Sequence, residues 1–209
     1  MKIIQVYVEG GGNTTQQKVE LRTGFDRLFS PIRNKAASKG WSLRFACCGS
    51  REQTYKDFIN ATQEVNRINV LLVDAENPIP PFAELNDAKL RMEHLTTSDK
   101  WRFEGIKPEQ VHLMVQCMEA WILADKDALK AFYGSGFQES CLPKRSNLEE
   151  ESKLDIDGKL KQATRSTQKG KYDKIKHASK LLPNLSVAKI EAHCPRFSAF
   201  VSWFDSIII

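Results

Sequence analysis

Acidic residues follow two apolar runs of the chain, and their types and positions suit them to metal chemistry. Glu9 comes directly after residues 3–8, and Asp74 and Glu76 come after residues 69–73. Carboxylate oxygens are the ligands that hard divalent cations such as Mg²⁺ prefer. If the three side chains converge, their repulsion raises at least one pKa, and a divalent cation relieves it. Such a cation can polarise a phosphodiester and activate water. The sequence therefore predicts a metal site, with three solvated loop acids as the alternative.

Three consecutive glycines, Gly10 to Gly12, follow Glu9 directly. Glycine lets the backbone turn sharply and lets a ligand approach the main chain, which side chains would prevent. The segment therefore predicts a ligand-binding loop beside Glu9. A flexible turn that leaves Glu9 solvated is the alternative interpretation of the same residues.

The two apolar runs predict short buried strands of a parallel sheet, because they are continuous and rich in β-branched residues. The first part of the chain alternates such strands with helical patterns. We predict strands at residues 3–8, 41–48 and 69–73, and helices at 16–37 and 51–67, the second helix capped by Ser50. This alternation favours a mostly parallel sheet covered by helices. Since open α/β sheets bind ligands at the carboxyl edge of their strands, we expect the acids to meet there.

The rest of the chain predicts one more strand and then mainly helices. Proline-rich residues 77–81 break the chain, and residues 84–101 are predicted to be part helix and part loop. We predict a fourth strand at 111–116, a helix at 118–133, helices at 159–167 and 177–182 around a loop at 168–172, and a last helix at 197–209. The fold class is therefore α/β, with a mostly parallel sheet of about four strands. Residues 1–143 would form the core, and residues 144–209 a basic helical extension packed on it.

Glu119 is a fourth candidate metal ligand. It lies near the start of the helix that follows the fourth strand, so it should face the same edge of the sheet. A glutamate in the first turn of a helix is also explained by the helix dipole alone. Asp125 lies more than a turn further on and is predicted to be at the surface. Core positions are predicted for His112, Trp121, Phe132 and Tyr133.

The composition indicates a globular protein. Hydrophobic residues make up 41% and charged residues 27% of the 209 residues, unlike a disordered chain. No apolar run approaches the roughly 18 residues of a membrane span, and the N-terminus lacks the pattern of a signal peptide. The five cysteines are odd in number and lack CxxC spacing, which favours reduced thiols in the cytoplasm and argues against a zinc site. Adjacent cysteines seldom bridge, so we assign no redox role to Cys47 and Cys48.

Positive charge is concentrated in one segment. The whole chain has a net charge of +5, whereas residues 158–180 contain eight basic residues and one acidic residue, a net charge of +7. This concentration favours an anionic partner, and we predict that the segment binds the phosphates of DNA or RNA. The candidate contacts are Arg165, Lys169, Lys171, Lys174, Lys176 and His177. The alternative is a solvated surface, which is what most charged runs form.

The strand ends carry a resemblance to the Toprim domain of topoisomerases, DnaG-type primases and overcoming-lysogenisation-defect nucleases. That domain has one strand ending in Glu-Gly and a later strand ending in Asp-x-Asp or a close variant. The chain is similar at residues 8–10 (VEG) and 72–76 (LVDAE). The resemblance implies a Toprim-like fold with a Mg²⁺ or Mn²⁺ site. Glu9, Asp74 and Glu76 would be its metal-binding and catalytic residues. Glu119 would join them, because such nucleases have an acid after a later core strand.

Two positions depart from the Toprim pattern. Glu76 stands where the second Asp is usual, and its longer side chain can still bind a metal. Asn13 stands shortly after the glycines, where Toprim nucleases often have an acid. Asparagine is a weaker metal ligand, so this position puts a two-metal mechanism in doubt.

Nearly the full length resembles a family of small Toprim-like proteins that are often encoded beside an ABC- or AAA-type ATPase in prokaryotic anti-phage islands. Residues 6–12, 71–74, 111–121 and 169–172, with His177, carry that resemblance. It implies a nuclease effector with an ATPase partner. The partner is implied by the resemblance alone, because the chain has no GxxxxGK[ST] loop of its own. A non-catalytic module that docks on the ATPase or on nucleic acid is the alternative. Phosphotransfer on a small nucleotide and assembly into a homo-oligomer remain open.

Overall fold

The computed structural model describes residues 2–62 and 67–209, and its centre is a four-stranded sheet. The strands are β1 (Lys2–Glu9), β2 (Trp41–Gly49), β3 (Arg67–Asp74) and β4 (Val111–Met114), in the order β2-β1-β3-β4. Every neighbouring pair is parallel. The predicted α/β class and the mostly parallel sheet are therefore confirmed, and the fold is consistent with a Toprim-like one.

The α-helices cover both faces of the sheet. They are α1 (Thr15–Leu28), α2 (Ser30–Ser38), α3 (Arg51–Ala61), α4 (Asp87–Asp99), α5 (Glu119–Ala124), α6 (Lys126–Tyr133), α7 (Lys153–Thr164), α8 (Lys174–Leu181), α9 (Val187–His193) and α10 (Pro195–Ile207). Short 3₁₀ helices lie at Pro108–Gln110, Glu139–Cys141, Leu148–Glu150 and Leu182–Asn184. Among the described residues, no helix combines the length and the apolar character needed to cross a membrane.

The sheet divides the core into two apolar clusters, because successive side chains of a strand point to opposite faces. In β1, Val6 and Val8 belong to the larger cluster, whereas Tyr7 belongs to the smaller one. The larger cluster includes side chains of α1, α2 and α5–α10, and the smaller one includes side chains of α3 and α4. Both central strands are thus buried on both faces, which explains their continuous apolar sequence.

The larger cluster is continuous across the predicted boundary at residue 143. Phe197, Phe200 and Phe204 of α10 are fully buried, and all three rings lie within about 6 Å of the ring of Phe29. The predicted C-terminal helix therefore packs back on the body of the protein. His112 is also buried as predicted, between the rings of Phe200 and Trp203, and so are Trp121 and Tyr133.

Two of the predicted long helices are broken. Residues 16–37 form α1 and α2, which separate at Phe29, and a proline lies in the first turn of α2. Residues 118–133 form α5 and α6, which separate at Asp125. In addition, β4 ends at Met114, earlier than predicted. The predicted helix at 51–67 is observed as α3, which ends at Ala61; residues 63–66 lie outside the described residues, and Arg67 already begins β3.

The prediction that Asp125 lies at the surface is wrong. Its side chain is buried and caps α6 by accepting a hydrogen bond from the backbone N–H of Ala128 (3.1 Å). It also accepts hydrogen bonds from the Ser186 N–H and from Lys189 Nζ, at 2.9 and 2.8 Å. The helix break at Asp125 and the docking of α9 over it bury this carboxylate.

Candidate metal centre

Three carboxylates meet at the carboxyl edge of the sheet. Glu9 is the last residue of β1, Asp74 is the last residue of β3, and Glu76 follows two residues later. One oxygen atom of each lies within 4.8 Å of the others. Glu76 has a φ of 66°, so the chain leaves strand geometry here, and its N–H donates to the carbonyl of Gln116. The predicted convergence of the two strand ends is therefore observed.

Asp74 is the most buried of the three acids, with a side chain only 1% exposed. Its Oδ1 accepts a hydrogen bond from the Met118 N–H at 2.8 Å, just before α5 begins. Its Oδ2 accepts a hydrogen bond from Lys174 Nζ at 2.9 Å and lies 3.9 Å from Lys153 Nζ. A buried carboxylate requires such compensation, because its charge has lost contact with water.

Glu9 is partly buried beside Asp74. Its Oε2 accepts hydrogen bonds from Arg51 Nη1 at 3.0 Å and from the Asp74 N–H at 3.3 Å. Burial, and then the negative charge of Asp74, raise the pKa of Glu9 above its ordinary value, against the opposing charges of Arg51 and Lys174. The charge of Asp74 thus disfavours the charged form of Glu9, which is a condition that a bound cation relieves.

Arg51 organises this edge, and the sequence analysis did not identify it. It is the first residue of α3, and its guanidinium binds both oxygens of Asp99, at 2.6 and 2.9 Å. The same group donates to Glu9 and, at 2.5 Å, to the carbonyl of Asp74. It also lies 5.1 Å from the ring centroid of Trp101. Arg51 could have been found from its position, since a helix that follows β2 begins at the same edge as the acids.

Glu119 lies close to this group but does not belong to the three clustered carboxylates. It is the first residue of α5 and is buried. Its Oε1 accepts a hydrogen bond from the Tyr172 hydroxyl at 3.0 Å, and its Oε2 accepts one from Lys174 Nζ at 3.4 Å. Lys174 therefore bridges Asp74 and Glu119. The contribution of Glu119 to a metal site remains a prediction.

Two lysines neutralise the acids. Lys153, the first residue of α7, donates from Nζ to Glu76 Oε1 at 2.5 Å, and Lys174 is the first residue of α8. Burial by itself would lower the pKa of Lys174, but the charges of Asp74 and Glu119 outweigh burial and raise this pKa well above the ordinary lysine value. Both ammonium groups are therefore charged and occupy positions where a metal ion would also be attracted. No sequence signal pointed to Lys153.

The predicted nucleic-acid contacts divide into two groups. Arg165, Lys169, Lys171 and Lys176 are exposed, and Lys169 Nζ lies 5.0 Å from the ring centroid of Phe132. Lys174 is half-buried, and its Nζ contacts Asp74 and Glu119. His177 is buried, and its Nδ1 accepts hydrogen bonds from the Asp173 N–H at 3.1 Å and from the Tyr133 hydroxyl at 3.0 Å. The four exposed residues can contact an external phosphate without rearrangement, whereas His177 cannot.

A cavity of about 280 Å³ adjoins the acids, between the glycine loop and α8. Glu9, Asn13 and Lys174 are among its lining residues, so the predicted ligand-binding loop does border an open space. The backbone of Gly11 has a φ of +93°, and a Cβ atom there would lie 2.9 Å from the Cα of Lys18. This position therefore requires glycine, and the loop packs directly on α1.

The three clustered acids can hold a metal ion. All the donors are carboxylate oxygens, the class that hard cations bind. Asp74 is buried, whereas the side chains of Glu9 and Glu76 are 17% and 35% exposed, so the group is accessible from solvent. A divalent cation would take over the charge compensation that Lys174 and Lys153 now supply. The chemistry of the donor set thus fits a hard divalent ion.

Comparison with known proteins gives one match. The family model described as "Domain of unknown function (DUF4276)" matches residues 8–205, which include all the acids at the sheet edge. Neither the curated proteins nor the solved structures contain a significant match to the chain.

Proposed function

The chain belongs to the DUF4276 family, and from the site that it carries we propose that it is a Mg²⁺- or Mn²⁺-dependent nuclease of Toprim type. The observation that carries the proposal is the meeting of Glu9, Asp74 and Glu76 at the carboxyl edge of a parallel sheet, with oxygens within 4.8 Å. Ligands of open α/β sheets bind at this edge. The resemblance of residues 8–10 and 72–76 to the Toprim motifs supports the same reaction.

In this proposal the three acids hold the cation, and the neighbouring residues fix their geometry. The bound cation supplies charge stabilisation for a phosphodiester and an activated water. Asp74 is oriented by the Met118 N–H, and Glu9 is oriented by Arg51, which Asp99 holds in place. Glu9 would bind the metal or act as general base or acid. Glu119, which shares Lys174 with Asp74, would support a second ion.

The substrate in this proposal is DNA or RNA, and the setting is a cytoplasmic defence system. The exposed cations Arg165, Lys169, Lys171 and Lys176 would contact its phosphates. Lys174 would link that segment to the site, since the same helix begins at the acids. An ABC- or AAA-type ATPase partner is proposed from the resemblance to small defence proteins alone.

One observation favours a second candidate, a non-catalytic binding module that docks on the ATPase or on nucleic acid. Lys153 and Lys174 already neutralise the acids, at 2.5 Å from Glu76 and 2.9 Å from Asp74. A permanent internal ion-pair network of this kind needs no metal to be stable. Asn13 in place of an acid favours the same interpretation.

Titration of Mn²⁺ into the protein by calorimetry separates the two candidates. Wild type, Glu9→Gln and Asp74→Asn would be compared, because these changes keep the shape and remove the charge. Asp127→Asn is the matched control, since its side chain is 85% exposed. The nuclease proposal expects saturable binding by wild type and control, and a loss of at least about tenfold in affinity in both site variants.

Cleavage of tRNA and plasmid DNA would follow in the same four proteins. Mn²⁺-dependent cleavage by wild type and the control, but not by the site variants, is the expected result. Saturable Mn²⁺ binding without cleavage, even with the ATPase present, would favour the binding module. The absence of Mn²⁺ binding in wild type would exclude a metal site formed by this chain alone.

A further inference from the structure

A second basic surface runs along β2, the edge strand of the sheet, and we call it the edge groove. Lys18 and Arg22 of α1, Arg33 of α2 and Arg44 of β2 line it, with Asp26 as the acidic residue among them. Four basic side chains and one acidic side chain give this groove a local charge of +3. Its volume is about 530 Å³, larger than the cavity beside the acids. None of these residues belongs to the basic segment at 158–180.

Two basic side chains of the edge groove are open to an external anion, and the other two have internal partners, Arg33 being 3.5 Å from Asp26. Arg22 and Arg44 are exposed, and Arg44 Nε donates to the Ser42 hydroxyl at 3.1 Å. Arg33 Nε donates to the Leu43 carbonyl at 3.3 Å, and Lys18 Nζ donates to the Cys48 carbonyl at 2.9 Å. The Arg33 bond occupies the Leu43 carbonyl, which an added strand would use. The groove therefore presents positive charge beside the strand edge.

Lys18 connects the edge groove to the candidate metal centre. A Cβ atom on Gly49 would lie 3.2 Å from Lys18 Nζ, and one on Gly11 would lie 3.2 Å from Lys18 Cγ. Gly11 and Gly49 both line the cavity that also contains Glu9. The cavity beside the acids and the edge groove therefore lie on the two sides of the contact between Lys18 and the glycine loop.

We propose that the edge groove binds the phosphate backbone of a nucleic acid whose neighbouring part lies at the acids. The inference rests on the proposed function for the position of the substrate, and it adds a second contact surface to the exposed cations of residues 158–180. An acidic peptide would also match the charge. The groove lies next to a site suited to a phosphodiester, and this favours nucleic acid, because one long polyanion would contact both.

The test is oligonucleotide binding in EDTA, where no cleavage can interfere. The charge-reversed double variant Arg22→Glu/Arg44→Glu would be compared with wild type by fluorescence anisotropy. The probes are labelled single strands of DNA and RNA of about 20 nucleotides, longer than the roughly 4–16 that a single-strand-binding fold covers. Lys89→Glu/Arg102→Glu is the matched control, because both residues are exposed and lie with α4 and the segment after it, away from β2.

The expected result is a loss of about tenfold or more in affinity in the groove variant and little change in the control. The slope of log affinity against log salt should also fall by about 1.4, or about 0.7 for each of two phosphate contacts on a single strand. Equal binding by the groove variant and the control would overturn the inference. Tighter binding of poly-glutamate than of either oligonucleotide would overturn it in favour of an acidic peptide.

Calorimetric titration of Mn²⁺ into the groove variant separates this inference from the proposed function. The variant should bind Mn²⁺ like wild type, since neither arginine contacts the acids. If wild type binds oligonucleotides through the groove but binds no Mn²⁺ and cleaves nothing, the groove inference stands and the nuclease proposal fails. If wild type cleaves, and the groove variant binds oligonucleotides and cleaves them as well as wild type does, the nuclease proposal stands and the groove inference fails.

Discussion

At the scale of single residues, the site depends on how the charge of Asp74 is compensated. This carboxylate is 1% exposed, and its oxygens contact the Met118 N–H and the ammonium group of Lys174. Removing one partner of a buried ion pair leaves the other charge without compensation. The same position would be compensated equally well by a divalent cation. Lys174 and a bound metal are therefore alternatives for the same negative charge.

Replacing Lys174 by methionine should test that relation. In EDTA, we expect Lys174→Met to lower the free energy of unfolding in urea by about 1–3 kcal/mol, since Asp74 and Glu119 lose their shared donor. Added Mn²⁺ should then stabilise the variant more than it stabilises wild type, because the cation replaces the missing charge. The control is Lys176→Met on the same helix, an exposed site where changes of about 0.5 kcal/mol or less are usual. A variant that Mn²⁺ stabilises no more than wild type would contradict the relation.

At the scale of elements, basic residues that contact the acids begin helices. Arg51, Lys153 and Lys174 are the first residues of α3, α7 and α8. Positive charge at a helix N-terminus interacts unfavourably with the helix dipole. These residues therefore do not stabilise the helices that they begin. The residues just before them, Ser50, Ser152 and Asp173, cap the helices with their side chains. A basic residue directly after such a cap does not by itself identify these positions, because Lys126 follows the capping residue Asp125 at the start of α6 and does not contact the acids.

The start of α8 should also make stability depend on pH through His177. Burial first, and then the positive charges of Lys180, Lys176 and Lys169, lower the pKa of His177 below 6.5, against the charge of Asp173. Its Nδ1 accepts two hydrogen bonds, so a proton there would face the Asp173 N–H. As the pH falls below about 6.5, the unfolded chain therefore binds more protons than the folded chain. The stability that neutral His177 contributes is lost progressively over this range.

The measurement is the free energy of unfolding in urea between about pH 8 and about pH 5. His177→Gln should show a smaller loss of stability on acidification than wild type, since the amide keeps an acceptor and cannot titrate. His112 is buried as well, and burial lowers its pKa well below the ordinary value. The variant should therefore retain part of the acid sensitivity. If His177→Gln loses as much free energy of unfolding between the two pH values as wild type does, His177 does not contribute to the acid sensitivity.

At the scale of the whole molecule, a buried ion-pair network joins the C-terminal helix to the rest of the protein. Arg196 of α10 donates from Nε to Asp87 of α4 at 2.9 Å and from Nη2 to the Pro80 carbonyl at 2.7 Å. Its backbone N–H donates to Glu149 at 2.7 Å, and burial raises the pKa of Glu149 to about 7. Together with the continuous apolar cluster, these contacts predict one cooperative folding unit.

Replacing Arg196 by methionine should therefore destabilise the whole protein. We expect a loss of about 3–5 kcal/mol, because Asp87 and Glu149 remain buried without this partner. Arg145→Met is the control, because this side chain is 53% exposed and pairs with Glu150 and Glu151, so little change in stability is expected. Far-UV and near-UV circular dichroism should follow one urea transition in all variants. If Arg196→Met does not fold, Arg196→Lys, which keeps the charge, should give an intermediate loss; separate transitions would contradict a single unit.

The parallel sheet and the meeting of Glu9, Asp74 and Glu76 at its edge were predictable from the sequence. Short apolar runs and the acids that end them are local features, and the geometry of parallel strands carries those acids to one place. The residues that surround the acids were not predictable in this way. Lys153 contacts Glu76 across 77 positions of the chain, and Lys174 contacts Asp74 across 100. Such contacts depend on how α7 and α8 dock on the sheet. Local patterns do not specify that docking, and for the same reason they failed to predict the burial of Asp125.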